Sequence, residues 1–108
     1  MSIDFSQHVQ MVGPEADLDA LEAKISRASP WTCLSPPRLA RTRGTDAQLV
    51  AFFTSSRIIP RLATDRLSLA FPRVAFMHSW LDYNNDACGA LLALGDNVIE
   101  NGPHGDPE

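Results

Sequence analysis

Lysine and arginine are missing from both ends of this 108-residue chain, with none in residues 1–22 and none from 82 to 108. Those two ends carry five and six acids. All nine basic residues, eight of them arginine, fall in 23–81 against only Asp46 and Asp65, a local balance of +7 inside a net charge of −4. The layout has two readings. Either opposite charges from distant segments meet on a mixed surface, or the surface is divided and one half serves a partner.

Other scarcities exclude whole classes. The two cysteines, Cys33 and Cys88, form no CxxC pair. They are expected to be two reduced, buried thiols, with a disulfide as the alternative. No apolar run reaches the roughly 18 residues that span a bilayer, so no membrane contact is expected. The opening MSIDFSQHVQ lacks a basic stretch followed by an apolar one, so no secretory signal is expected and the localisation reads as cytoplasmic. Aromatic residues make up 7% of the chain and no RNP-type motif is present, which weakens base stacking as a function.

Catalytic and cofactor signatures are missing as well. His8, His78 and His104 are the only histidines, and none stands at metal-ligand spacing from Cys33 or Cys88. A Cys33/His78 nucleophile pair has no local context to support it. Asp82 and Asp86 flank turn residues, where solvation accounts for them better than acid–base work. Neither GxGxxG nor a Walker sequence occurs. The expectation is a non-enzyme with no cofactor and no metal.

What is present is pattern. From Val74 the chain alternates, placing Val74, Phe76, His78 and Trp80 on one face and Ala75, Met77, Ser79 and Leu81 on the other. A period of two is a strand, and apolar residues on both faces make it a central one with Phe76 and Trp80 in the core. Asn84-Asn85-Asp86 is turn material. Ala87 to Leu94 reads as the next strand, in which Gly89 faces a large residue such as Trp80. Gly95-Asp96-Asn97 turns again into a short strand at Val98 to Glu100. The whole stretch 71–102 is a β-meander. Phe71-Pro72 ends the helix before it.

Upstream, Ile3, Phe5, Val9 and Met11 alternate with Asp4, Ser6, His8 and Gln10, a strand with one wet face interrupted by Gln7. Gly13-Pro14 stops it. Ala16, Leu18, Leu21, Ile25 and Ala28 repeat at helical spacing over 15–28, with Glu15, Asp17 and Asp19 at the start and Lys24 and Arg27 at the end, in accord with the helix dipole. Trp31, Cys33 and Leu34 suit a short strand, and Trp31 a core position. Ser35-Pro36-Pro37 begins an exposed loop over 35–45 that holds Arg38, Arg41 and Arg43. Thr45 or Asp46 then caps a helix running to about Ser55, with Leu49, Val50, Phe52 and Phe53 as its apolar side. Thr64 or Asp65 caps a further helix, and the two could be one helix broken at Pro60.

These elements predict one α+β domain over 1–102, an antiparallel ferredoxin-like sheet with helices on one face and a C-terminal meander, followed by a disordered tail at 103–108. The helix ending Leu69-Ala70-Phe71-Pro72, the strand Val74 to Trp80, and Gly89 with Gly95-Asp96 resemble the YubB ferredoxin-like domain family of small plasmid and phage proteins. The resemblance implies that fold and a setting on mobile elements, and it carries over no catalytic residue. Two functions follow as expectations. One is a protein-binding module acting on a host protein or complex, such as an anti-CRISPR-like inhibitor of host defence. The other is a nucleic-acid binder using arginines 38–43. The candidate contact residues are Arg38, Arg41 and Arg43 in the loop and Asp82 and Asp86 at the meander turn.

Overall fold

The structure, a computed structural model, describes residues 5–56, 61–82, 87–95 and 97–101. It is an α+β fold with one six-stranded antiparallel sheet and two helices. The elements in chain order are β1 (Phe5–Val12), α1 (Glu15–Arg27), β2 (Arg38–Thr42), β3 (Gln48–Ser55), α2 (Arg61–Ala70), β4 (Ala75–Asp82), β5 (Ala87–Leu94) and β6 (Asn97–Asn101). The strands lie in the order β2-β3-β1-β4-β5-β6.

Register fixes what each face carries. Val9 stands between Ala51 and His78, and Met11 between Leu49 and Phe76. These residues, with Leu91 and Ala93 from β5, are buried. All but His78 share one core cluster with Leu18, Leu21 and Ile25 of α1, Leu67 of α2 and Trp31. The residues between them in sequence, such as Ser6, His8 and Phe52, point to the other face, because a strand alternates.

Several expectations hold. The strand from residue 74, the strand Ala87–Leu94 and the short last strand are present, and they pair with one another in chain order. Strand β4 is interior, between β1 and β5. Phe76, Trp80 and Trp31 are buried. Helix α1 matches its prediction, and its end is closed by the Ala28 N–H donating to the Lys24 carbonyl. Trp80 pairs with Gly89 across the β4–β5 ladder.

The middle of the chain corrects the sequence reading. Residues 35–45 are not an exposed loop throughout, because Arg38–Thr42 form the edge strand β2, paired to β3. The predicted helix to Ser55 is β3. Leu49, Val50, Phe52 and Phe53 fit a helical stripe and also fit a strand that is apolar on both faces, and hydropathy alone does not separate the two. Pairing decides it. As a strand the segment places Leu49, Ala51 and Phe53 in the core and satisfies its backbone against both β1 and β2. Gly44, at φ +99°, takes the chain from β2 into β3 with a backbone that residues with a side chain rarely adopt.

Trp31–Leu34 form no strand; the Leu34 N–H donates to the Thr54 carbonyl, and the Trp31 N–H and carbonyl both bond to Ser29 Oγ. Helix α2 begins at Arg61, so Thr64 is not its cap but a buried interior residue. Cys33 and Cys88 are both free, as expected, yet neither is buried, and Cys88 is exposed. Cys88 stands opposite Leu81 on the face away from the core. The connection 57–60, the turn 84–86 and the tail 103–108 lie outside the described residues.

Candidate interaction face

The three arginines read as one basic loop are separated by the pleat of β2. Arg41 pairs with Leu49 and therefore points to the helix side, whereas Arg38 pairs with Phe52 and points to the other. On the helix side α1 presents Glu15, Asp19 and Glu22, one and two turns apart on one flank. The Arg41 guanidinium donates to Asp19 at 2.9 Å and to Glu22 at 3.0 Å, and its side chain is only 8% exposed. Arg43 reaches Asp19 at 3.2 Å. The hydrogen bond from Arg41 holds the Asp19 carboxyl below its usual range, with the charges of both arginines adding to it. Arg73 similarly meets Asp17 at 3.1 Å. For these residues, opposite charges from distant segments meet. The signal was legible as the i, i+4, i+7 spacing of three acids on α1. Asp82 ends β4, and its side chain, like all of Asp86, lies outside the described residues.

Both helices share the core cluster with one face of the sheet, and among the described residues no helix or strand lies over the other face. Of the cross-strand rows that register defines on it, three run across five or six strands. Arg38, Phe52, His8, Ser79 and Ala90 form the first, running from β2 to β5. Ala40, Val50, Gln10, Met77, Leu92 and Ile99 form the second, and Thr42, Gln48, Val12, Ala75, Leu94 and Asn97 the third. No acid and no lysine occurs among them.

The rows differ in chemistry along their length. Toward β6 they are apolar: Met77 is 37% exposed, Leu92 43%, Leu94 47% and Ile99 66%. A hollow of about 440 Å³ lies there, lined by Gln10, Met77, Leu92 and Ile99 among others. Toward β2 they are polar and aromatic. A larger cleft of about 630 Å³ is lined by Ser6, His8, Arg38, Phe52, Thr54 and Ser79, with Ser35 and Pro36 as a wall. Sequence reading found apolar residues on both faces of β4 and helices on only one face. Together these facts already implied an uncovered apolar surface, and that implication was the missed signal.

Beneath the open face a chain of hydrogen bonds crosses the core. Gln7, the residue that interrupted the pattern of β1, is buried and donates from Nε2 to Ser55 Oγ at 3.0 Å. Its Oε1 therefore accepts from His78 Nε2 at 2.7 Å. With that proton assigned, His78 Nδ1 accepts from the Thr64 hydroxyl at 2.9 Å, and Thr64 accepts from the Trp31 indole N–H at 2.9 Å. Every member is satisfied in one direction only, and only with a neutral His78. Burial, with the nearby positive charges of His8 and Arg61 adding to it, pushes the His78 pKa down to about 3. A histidine so depressed and so fully bonded orders the core rather than exchanging protons at neutral pH.

Among the described residues no group of three His, Cys, Asp or Glu is placed to hold a metal ion. No described helix is long and apolar enough to cross a membrane. Compared with known proteins, the chain matches no protein family, no curated protein and no solved structure.

Proposed function

We propose that this chain is a non-enzymatic protein-binding module whose docking surface is the apolar half of the open sheet face. The observation that carries the reading is the contiguous set Met77, Leu92 and Ile99. They are cross-strand neighbours on β4, β5 and β6, all exposed and with no charge among them. Large exposed apolar patches on soluble domains mark interaction surfaces, because leaving them in water is unfavourable at about 25 cal/mol per Å². The partner suited to this surface is a protein presenting an uncharged apolar face of matching size.

The order β2-β3-β1-β4, with a helix after β1 and another after β3, supports a ferredoxin-like core to which β5 and β6 are appended. The resemblance of residues 69–96 to the YubB family extends the proposal to a mobile-element protein that binds a host protein as an inhibitor of a defence system. The contact residues move accordingly, from the arginine segment and the meander turn to the open face.

The test uses the purified chain and a binding partner captured with it and identified. Leu92→Glu combined with Ile99→Glu is expected to abolish the reconstituted complex, while Leu69→Glu on the exposed side of α2 leaves it intact. Equal behaviour of the two variants would remove the open face from the binding surface.

A further inference from the structure

The opposite corner of the open face has different chemistry, and we infer that it binds a planar aromatic anion of nucleotide size, with the ring against Phe52 and the anionic group on Arg38. Four observations meet there. Arg38, Phe52 and His8 are adjacent in register on β2, β3 and β1, which sets their side chains roughly 5 Å apart on one surface. Phe52 is 45% exposed, although a Phe at the middle of a central strand is ordinarily covered. The His8 ring meets it nearly edge-on, with centroids 5.0 Å apart and an interplanar angle of 64°, so His8 braces the phenyl ring from one side. Arg38 makes no ion pair among the described residues, in contrast to Arg41 and Arg43 on the other face of the same segment.

The cleft suits that ligand in size and polarity. Its volume of about 630 Å³ falls in the ordinary range of roughly 300–1,000 Å³ for small-molecule sites. Ser6, Ser35, Thr54 and Ser79 contribute hydroxyls around the aromatic floor. Hydroxyls both donate and accept, which fits ring nitrogens, exocyclic groups and sugar oxygens alike. The guanidinium fork gives an anionic oxygen pair two parallel hydrogen bonds. Among the described residues no acid stands on this face to repel the anion. A free nucleotide and a nucleotide within a single strand share this chemistry. The site adjoins the apolar hollow near β6 and shares His8 and Ser79 with it, but Arg38 and Phe52 line only this cleft, so their substitution tests it independently of the protein-binding proposal.

The experiment titrates the purified protein with adenosine monophosphate, adenosine, inorganic phosphate and an eight-nucleotide single strand, read by calorimetry and by amide chemical shifts at low salt. The monophosphate is expected to bind more tightly than adenosine or phosphate alone, with shifts at Phe52, His8 and Ser79. Arg38→Gln and Phe52→Leu should each weaken binding about tenfold without changing the thermal midpoint, and Arg43→Gln should leave binding unchanged. Affinity that rises for the strand, with a steep salt dependence, assigns the site to single-stranded nucleic acid. Affinity no better than for the monophosphate assigns it to free nucleotides. Absence of binding by all four probes at millimolar concentration, or binding that survives both Arg38→Gln and Phe52→Leu, would overturn the inference.

Discussion

The Trp80 indole lies so close across Gly89 that a Cβ placed on Gly89 would come within 2.5 Å of Trp80 Cζ2 and 2.7 Å of Nε1. The two residues are partners in the β4–β5 ladder, and Trp80 is 2% exposed with no room to withdraw. A strand interior ordinarily disfavours glycine. Here the missing side chain is the space that the indole fills.

Gly89→Ala is therefore expected to destabilise the fold by about 1–3 kcal/mol, the usual range for overpacking a filled core. Trp80→Ala should cost about 3–5 kcal/mol through the cavity it leaves. The decisive measurement is the double-mutant cycle by urea denaturation. The pair of substitutions should cost clearly less than the sum of the two, because the small residue at 80 makes room for the methyl at 89. Additive effects would mean that the two side chains do not compete for the same space.

His78 makes stability depend on acid. Its folded pKa of about 3 lies below the ordinary 6.5, so the unfolded chain binds the proton more readily. Stability is then full above about pH 6.5 and falls as pH drops toward 3, by up to about 1.4 kcal/mol per pH unit from this group. Between pH 6.5 and 5, before most carboxylates titrate, the wild type should lose stability more steeply than a His78→Gln variant. Nitrogen chemical shifts should report a neutral ring protonated at Nε2 down to pH 5. A His78 ring that titrates above pH 6 would contradict the hydrogen-bond directions given above.

The ends of this fold were legible in the sequence, and its middle was not. Strand β1 and helix α1 each carry one dominant period, and β4 and β5 are short apolar runs bounded by turn residues, so spacing or punctuation reads them directly. Segment 48–55 carries two apolar faces, and its Leu49, Val50, Phe52 and Phe53 satisfy both templates. Only its neighbours β1 and β2, 36–50 and 6–14 residues away along the chain, choose between them. The arginines were misread for the same reason. Once 38–42 is a strand, the pleat sends Arg41 to the acids of α1 and Arg38 to open solvent. Gln7 looked like a flaw in β1 and is the acceptor that fixes the His78 tautomer. Non-local partners explain each miss.

Substitution of the arginines should rank them by what they touch. Arg41→Ala is expected to be the most destabilising, since the side chain is 8% exposed and shared between Asp19 and Glu22. Arg43→Ala, with its side chain 63% exposed, should cost less than about 1 kcal/mol, and less again in high salt. Arg38→Ala should change stability by no more than about 0.5 kcal/mol. Urea midpoints at two salt concentrations check the order. A variant at Arg38 that proves the least stable of the three would place that residue in the framework rather than on a binding face.

Leu91 and Leu92 give the sharpest test of the open face, because they are adjacent in the chain and separated by the sheet. Leu91 is 2% exposed and belongs to the core, while Leu92 is 43% exposed between Met77 and Ile99. Leu91→Glu would place a carboxylate against His78 and the helices with no partner, a cost large enough to unfold a domain of this size. Leu92→Glu puts the same carboxylate into water and should leave the thermal midpoint almost unchanged. A structural role for the apolar rows predicts that both variants lose stability. A docking role predicts that Leu92→Glu keeps its fold, gains solubility and loses its partner. Thermal melts of the two variants, followed by binding measurements on the one that folds, separate these outcomes. A folded Leu92→Glu protein that still binds its partner with wild-type affinity would rule out the apolar rows as the contact.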